Sequence, residues 1–149
     1  MCIDCGANVG LISDIFLKLG ATCYAFEPSR DCIKILKHKF YKNNKFKLIP
    51  AAVSNRNGEV TLIRTSSFDQ GANTVNYYND DAKIIKYTIK AIRLSDFIKD
   101  LLKTTNNICL LKLDIEGAEF DVLEDLIKRE FTNRLSILSA KHTNTLAKN

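Results

Sequence analysis

Four places in the chain end in groups that can accept hydrogen bonds or protons. Asp4 precedes a Gly6-Ala7-Asn8-Val9-Gly10 loop, Glu27 is followed by Pro28, Asp114 stands two residues before Glu116, and His142 lies close to the C-terminus. Small residues in a tight loop let a ligand lie against the backbone. A carboxylate about twenty residues beyond such a loop is placed to accept hydrogen bonds from the two hydroxyls of an adenosine ribose. An acid that closes an apolar strand, as Asp114 does, has a reason to be there, because burying a lone carboxylate is costly. Glu119 has a blander reading, as negative charge complementing the start of a helix.

The elements that position these groups follow from hydrophobic period and turn chemistry. A short apolar run from Met1 ends in the acidic Asp4 and reads as a strand that leads into the glycine loop. Leu11, Ile12, Ile15, Phe16 and Leu19 then recur at helical spacing, with Gly20 in the C-cap place. Ala21 to Phe26 reads as a second strand, and Ser29 caps a helix to about Phe40 whose buried stripe is Ile33, Leu36 and Phe40. Phe46 to Val53 reads as a third strand, with Pro50 marking an irregularity or an end. The turn Ser54-Asn55-Arg56-Asn57-Gly58 opens an excursion in which Glu59 to Thr65 and Ile84 to Leu94 alternate and pair antiparallel. The polar stretch from Ser66 to Asp81 between them is a loop that reaches over a ligand or simply faces solvent. Ser95 or Asp96 caps a helix ending near Lys103. Ile108 to Leu113 is a near-continuous apolar run, as in a parallel strand covered on both faces. A helix carrying Val122, Leu123, Leu126 and Ile127 follows, then a strand from Leu135 to Ala140. The expected fold class is α/β: a Rossmann-like, mostly parallel sheet flanked by helices, with a small antiparallel β insertion. The strand ending at Asp114 should lie beside the first strand, so that Asp114 and Glu116 face the same pocket as Gly6 and Asn8.

Composition bounds the function class. With 149 residues and 46% apolar content the chain suits a single domain with a real core, residues 1–149. It lacks a signal-peptide pattern and any apolar run of the roughly 18 residues a membrane span needs, so a cytoplasmic protein without membrane contact is expected. The net charge of +5 owes much to Lys34, Lys37, Lys39, Lys42, Lys45 and Lys47. These read as a solvated helix face and loop rather than a phosphate track, so no nucleic-acid partner is expected. The five cysteines include a Cys2-x-x-Cys5 pair, but in a strand residues three apart point to opposite faces. No second ligand pair accompanies it, so reduced buried thiols are expected and no metal site.

Taken together, Asp4-Cys5-Gly6-Ala7-Asn8-Val9-Gly10, Tyr24-Ala25-Phe26-Glu27-Pro28, Ala51-Ala52-Val53-Ser54 and Lys112-Leu113-Asp114-Ile115-Glu116-Gly117-Ala118-Glu119 resemble the FkbM-type methyltransferases. These are class I enzymes dependent on S-adenosylmethionine. The resemblance spans about Ile3 to Glu119, with the last block the most specific. It implies methyl transfer from S-adenosylmethionine to a hydroxyl of a small-molecule or saccharide acceptor. It further implies that Asp4, Gly6, Asn8 and Gly10 shape the methionine side of the cofactor site, that Glu27, followed by Pro28, holds the ribose diol, and that Ala52 and Val53 flank the adenine. Asp114 and Glu116 then border the methyl group and the acceptor. A hydroxyl acceptor must lose its proton, and the candidates to assist are Asp114, Glu116 and, third, His142.

Two departures from that family pattern set up a rival reading. Met1 stands only three residues before Asp4, and the chain stops soon after the fifth parallel strand, where class I methyltransferases usually add two more. A chain truncated at both ends is expected, and a catalytically inactive nucleotide-binding module is the alternative to an active enzyme. A nicotinamide-dependent dehydrogenase fits less well. Its G-x-G-x-x-G fingerprint brings backbone to a pyrophosphate, whereas here Asn8 occupies the middle glycine position and the last glycine comes one residue early. The acceptor's identity and the oligomeric state are not encoded in any pattern of the chain.

Overall fold

The computed structural model describes residues 1–65, 84–105, 108–131 and 135–140. The chain opens with β1 (Cys2–Cys5), α1 (Leu11–Lys18), β2 (Cys23–Phe26), α2 (Arg30–Lys39) and β3 (Phe46–Ile49). It continues through β4 (Ala52–Ser54), β5 (Gly58–Thr65), β6 (Ile84–Arg93) and α3 (Leu94–Leu101), and closes with β7 (Ile108–Leu113), α4 (Glu119–Lys128) and β8 (Leu135–Ala140). Five strands form a parallel sheet in the order β3-β2-β1-β7-β8. Strand order reverses between β1 and β7, whose register pairs Cys5 with Leu113, so the two chain ends that leave these strands part above the same edge of the sheet. That is the crevice in which open α/β sheets bind ligands.

The period-2 alternation of the strands sorts their side chains into two cores. Ile3, Cys5, Phe26, Leu111 and Leu113 pack on one face with Leu94 and Ile98 of α3 and Val122 and Leu126 of α4. Cys2, Cys23 and Ala25 pack on the other with Phe16 of α1 and Leu36 of α2. Cys2 and Cys5 therefore face opposite ways. None of the five cysteines is in a disulfide, and four of them are buried while Cys109 is exposed. Burial pushes the thiol of Cys23 up to about 12, as expected of an inert apolar filler. Phe97 of α3 stacks edge-on against both Tyr24 and Phe26, with centroids 5.6 and 4.9 Å away. Arg93 and Ser95 both bond the Asp125 carboxylate, which fastens the start of α3 to α4.

Four expectations need correction. The run Phe46 to Val53 is not one strand: after Ile49 the chain breaks at Pro50, and β4 joins a second sheet of order β4-β6-β5. Proline cannot donate to a ladder, so the break falls where the donor is missing. The insertion is thereby mixed, not purely antiparallel: β5 and β6 form the expected antiparallel pair, and β4 adds parallel to β6. The third correction concerns α1. Ser13 and Phe16 face the sheet, while Leu11, Ile15 and Leu19 are 69%, 50% and 80% exposed. The helix is rolled so that the Ser13 hydroxyl donates to Asp4 Oδ2 at 2.7 Å, both groups being fully buried. A buried carboxylate oxygen without a hydrogen bond costs about as much as burying a further leucine gains, so the inward place goes to the serine. Ser95 likewise turns inward to Asp125 and does not cap α3, which starts at Leu94 with Arg93 in the cap position. The six lysines between Lys34 and Lys47 are all exposed, as expected of an outer face. Among the described residues, no helix is long and apolar enough to cross a membrane.

Candidate functional site

A cavity of about 300 Å³ opens at the crevice between β1 and β7. Its floor is the glycine loop, its sides are the residues that follow β2 and β7, and its roof comes from β4 and β5 through Ala52, Val53, Val60 and Leu62. The volume is at the lower end of the range for small-molecule sites, about 300–1,000 Å³. The two sheets thus meet around one space that is apolar where the strands face it and polar at the strand ends.

Local backbone chemistry builds each wall. The amides of Gly6 and Ala7 both donate to the Phe26 carbonyl, at 3.0 and 2.9 Å, which pins the loop against the end of β2. Gly6 has φ +80°, and a Cβ there would lie 1.9 Å from the Asp114 carbonyl oxygen. Only glycine lets the loop and the end of β7 approach this closely. Glu27 is buried at 5% exposure, with Oε2 accepting the Asn8 amide and Oε1 the Ser29 amide, each at 2.7 Å. Burial raises its pKa above the usual glutamate range, and the two amides work against that rise.

Across β1, the chain leaves β7 in a strained turn. Asp114 donates its amide to the Cys5 carbonyl at 3.1 Å and leaves its side chain about one-third exposed. Glu116 has φ +57°, a left-handed value that costs a non-glycine residue about 1–3 kcal/mol. Of the three non-glycine residues with positive φ among the described residues, Asn8 and Glu116 both line this cavity. Glu119 holds the strained turn: its carboxylate accepts the amides of Ile115 and Gly117, each at 2.8 Å. Its negative charge does sit at the start of α4, as expected, but the bonds go back to the turn.

With this geometry in view, one match decides the family. Residues 4–143 match the methyltransferase FkbM domain. The chain belongs to the FkbM methyltransferase family. Its members use S-adenosylmethionine, so this chain is a methyltransferase of the S-adenosylmethionine-dependent kind. No curated protein and no solved structure matches it.

The structure of this FkbM domain brings together most of the residues singled out from sequence. Gly6, Asn8, Glu27, Pro28, Ala52, Val53, Asp114 and Glu116 all line the cavity. Asp4 and Gly10 do not. Asp4 lies fully buried beneath the loop, against Ser13 and Lys112. Gly10 packs against Leu36 and Phe40, with φ +78° and a Cβ position 2.6 Å from the phenylalanine ring. His142 and the stretch from 66 to 81 lie outside the described residues. Sequence reasoning gave no role to Lys112, Val60 or Leu62, which also line the cavity. The signals were present: Val60 and Leu62 share one face of an alternating strand, and Lys112 is the one charge inside an apolar run. Among the described residues, no group of three or more His, Cys, Asp or Glu side chains is arranged to hold a metal ion.

Proposed function

We propose that this FkbM domain transfers a methyl group from S-adenosylmethionine to a hydroxyl of a small-molecule or saccharide acceptor. Bound in the cavity, S-adenosylmethionine supplies a methyl carbon made electrophilic by its sulfonium. The observation that carries the reading is a pair of acidic sites on either side of β1. Glu27 follows β2 and Asp114 follows β7, so the two strand ends stand about 9–10 Å apart, two strand spacings.

The residues present suit the cofactor. A carboxylate offers about four acceptor positions, and the two backbone amides on Glu27 leave room for the two hydroxyls of a ribose. Because those amides fix the carboxylate, little is lost in ordering it on binding. Gly6 gives the ligand backbone to lie against, and Ala52 and Val53 offer an apolar edge to the adenine. On the far side, Asp114 and Glu116 border the acceptor, and either carboxylate takes its proton as the new bond forms. Holding the acceptor oxygen at near-attack distance accounts for most of the rate, up to roughly 7–11 kcal/mol in well-oriented systems.

The test is titration with S-adenosylmethionine together with a methyl-transfer assay over panels of hydroxyl, amine and thiol acceptors. Methylation confined to hydroxyls is the expected result. Methylation of amines or thiols alone would overturn the acceptor assignment. Tight cofactor binding without turnover on any panel would favour a catalytically silent module.

A further inference from the structure

Lys112 is a cation in the interior of a parallel strand, with a side chain only 9% exposed. A lysine in that position costs free energy unless its ammonium is both paired and hydrogen-bonded. Its Nζ lies 3.2 Å from Asp4 Oδ1 and 3.8 Å from Asp114 Oδ2, so charge compensation is at hand. The hydrogen bonds, however, go elsewhere. Nζ donates to the Gly6 carbonyl at 2.6 Å and to the Cys5 carbonyl at 3.3 Å, while among the described residues Asp4 Oδ1 receives no hydrogen bond and meets Nζ only as an ion pair. If Lys112 were present only to neutralise Asp4, the shortest bond would run to that carboxylate. Instead the ammonium directs its protons to the backbone of the glycine loop.

We propose that Lys112 is a positioning residue that ties the glycine loop of β1 to the strand carrying Asp114, and so sets the loop conformation that receives the cofactor. Asp4 is its buried counter-charge. The contact spans the crevice where strand order reverses, and it fixes the carbonyl of Gly6, the residue that already touches the Asp114 backbone. The proposal rests on the reading of this cavity as the S-adenosylmethionine site.

The experiment uses S-adenosylhomocysteine as the probe and a pair of variants that share Asp4→Asn, because Lys112→Met alone leaves Asp4 charged, buried and without its counter-charge. Binding by calorimetry and thermal unfolding are compared for Asp4→Asn and for Asp4→Asn/Lys112→Met, in which no unpaired buried charge remains. Loss of a charge-assisted bond predicts a dissociation constant about tenfold or more higher in the double variant than in Asp4→Asn. The double variant should still unfold cooperatively, with a melting temperature within about 10 °C of that of Asp4→Asn. Hydrogen exchange at the Gly6 and Ala7 amides should be faster in the double variant. Equal affinity and equal exchange in the two variants would overturn the proposal and leave Lys112 as counter-charge alone. A double variant too unstable to purify beside a stable Asp4→Asn protein would also overturn it, since Lys112 would then serve the fold as a whole. Failure of the wild-type chain to bind S-adenosylhomocysteine would instead strike the functional reading, which keeps the two failures apart.

Discussion

The two sides of the cavity are built on different principles. On the β2 side, Glu27 is buried and both its oxygens accept backbone amides, so its position is over-determined before any ligand arrives. On the β7 side, Asp114 is about one-third exposed and Glu116 sits in a left-handed conformation held from outside by Glu119. The first arrangement suits recognition of a constant group, where preorganisation adds affinity. The second keeps carboxylates in reach of water and of a variable acceptor, where they can exchange protons. On the proposed function, cofactor binding falls to the β2 side and chemistry to the β7 side, and mutations should separate the two.

The largest separation is expected at Asp114. Asp114→Asn should reduce methyl transfer about 10²- to 10⁴-fold, the usual worth of a positioned base, while S-adenosylhomocysteine affinity stays within about threefold by calorimetry. An undiminished rate would remove Asp114 from the chemistry. Gly6→Ala should break both sides together, because its Cβ would collide with the Asp114 carbonyl in a backbone conformation alanine resists. Urea unfolding should show a loss above about 2 kcal/mol, and ligand binding should fall with it. Gly10→Ala is the matched control. Its Cβ meets side-chain ends of Leu36 and Phe40, so about 1–3 kcal/mol should be lost. Ligand contacts should survive at temperatures where the variant is folded.

A smaller and one-sided effect is expected at Glu27. Glu27→Gln should weaken S-adenosylhomocysteine binding about tenfold with turnover at saturating cofactor little changed. The pH dependence sharpens this. Burial raises the folded-state pKa of Glu27, so the folded protein holds that proton more tightly than the unfolded chain does. Its contribution to stability therefore declines as pH rises through the window between the ordinary glutamate value and the raised one. If Glu27 holds the ribose as proposed, the hydroxyls donate to the charged form, so cofactor affinity should fall on acidification through that same window, at a higher pH than an ordinary glutamate would give. Glu27→Gln should abolish that dependence in a calorimetric pH series. The smallest effect is expected at Glu119. Glu119→Gln keeps one acceptor for the Ile115 and Gly117 amides, and should cost about 1 kcal/mol of stability while lowering kcat more than it raises KM for the cofactor.

Much of this architecture was legible in the chain because it depends on local rules. The apolar run ending in Asp114, the glycine loop after Asp4 and the acid after Phe26 each announce a strand end, and parallel topology brings strand ends together. Pro50 announced a break. What was not legible depends on pairwise contacts across the fold. Nothing local says that Ser13 rather than Leu11 turns inward, because the reason is a carboxylate nine residues earlier. Lys112 has no assigned role in the sequence, and the one proposed for it requires knowing that the Gly6 carbonyl lies 2.6 Å away. Asp4 and Gly10 belong to the motif by sequence, yet one lies under the loop and the other packs against α2, so a motif residue need not touch the cavity.

The most direct test is a crystal structure of the chain soaked with S-adenosylhomocysteine. The ribose should lie over the end of β2 with its two hydroxyls about 2.6–3.0 Å from the Glu27 carboxylate oxygens, and the sulfur should point toward Asp114. A ligand bound elsewhere, or one in this crevice whose ribose avoids Glu27, would contradict the division of the cavity on which the account stands.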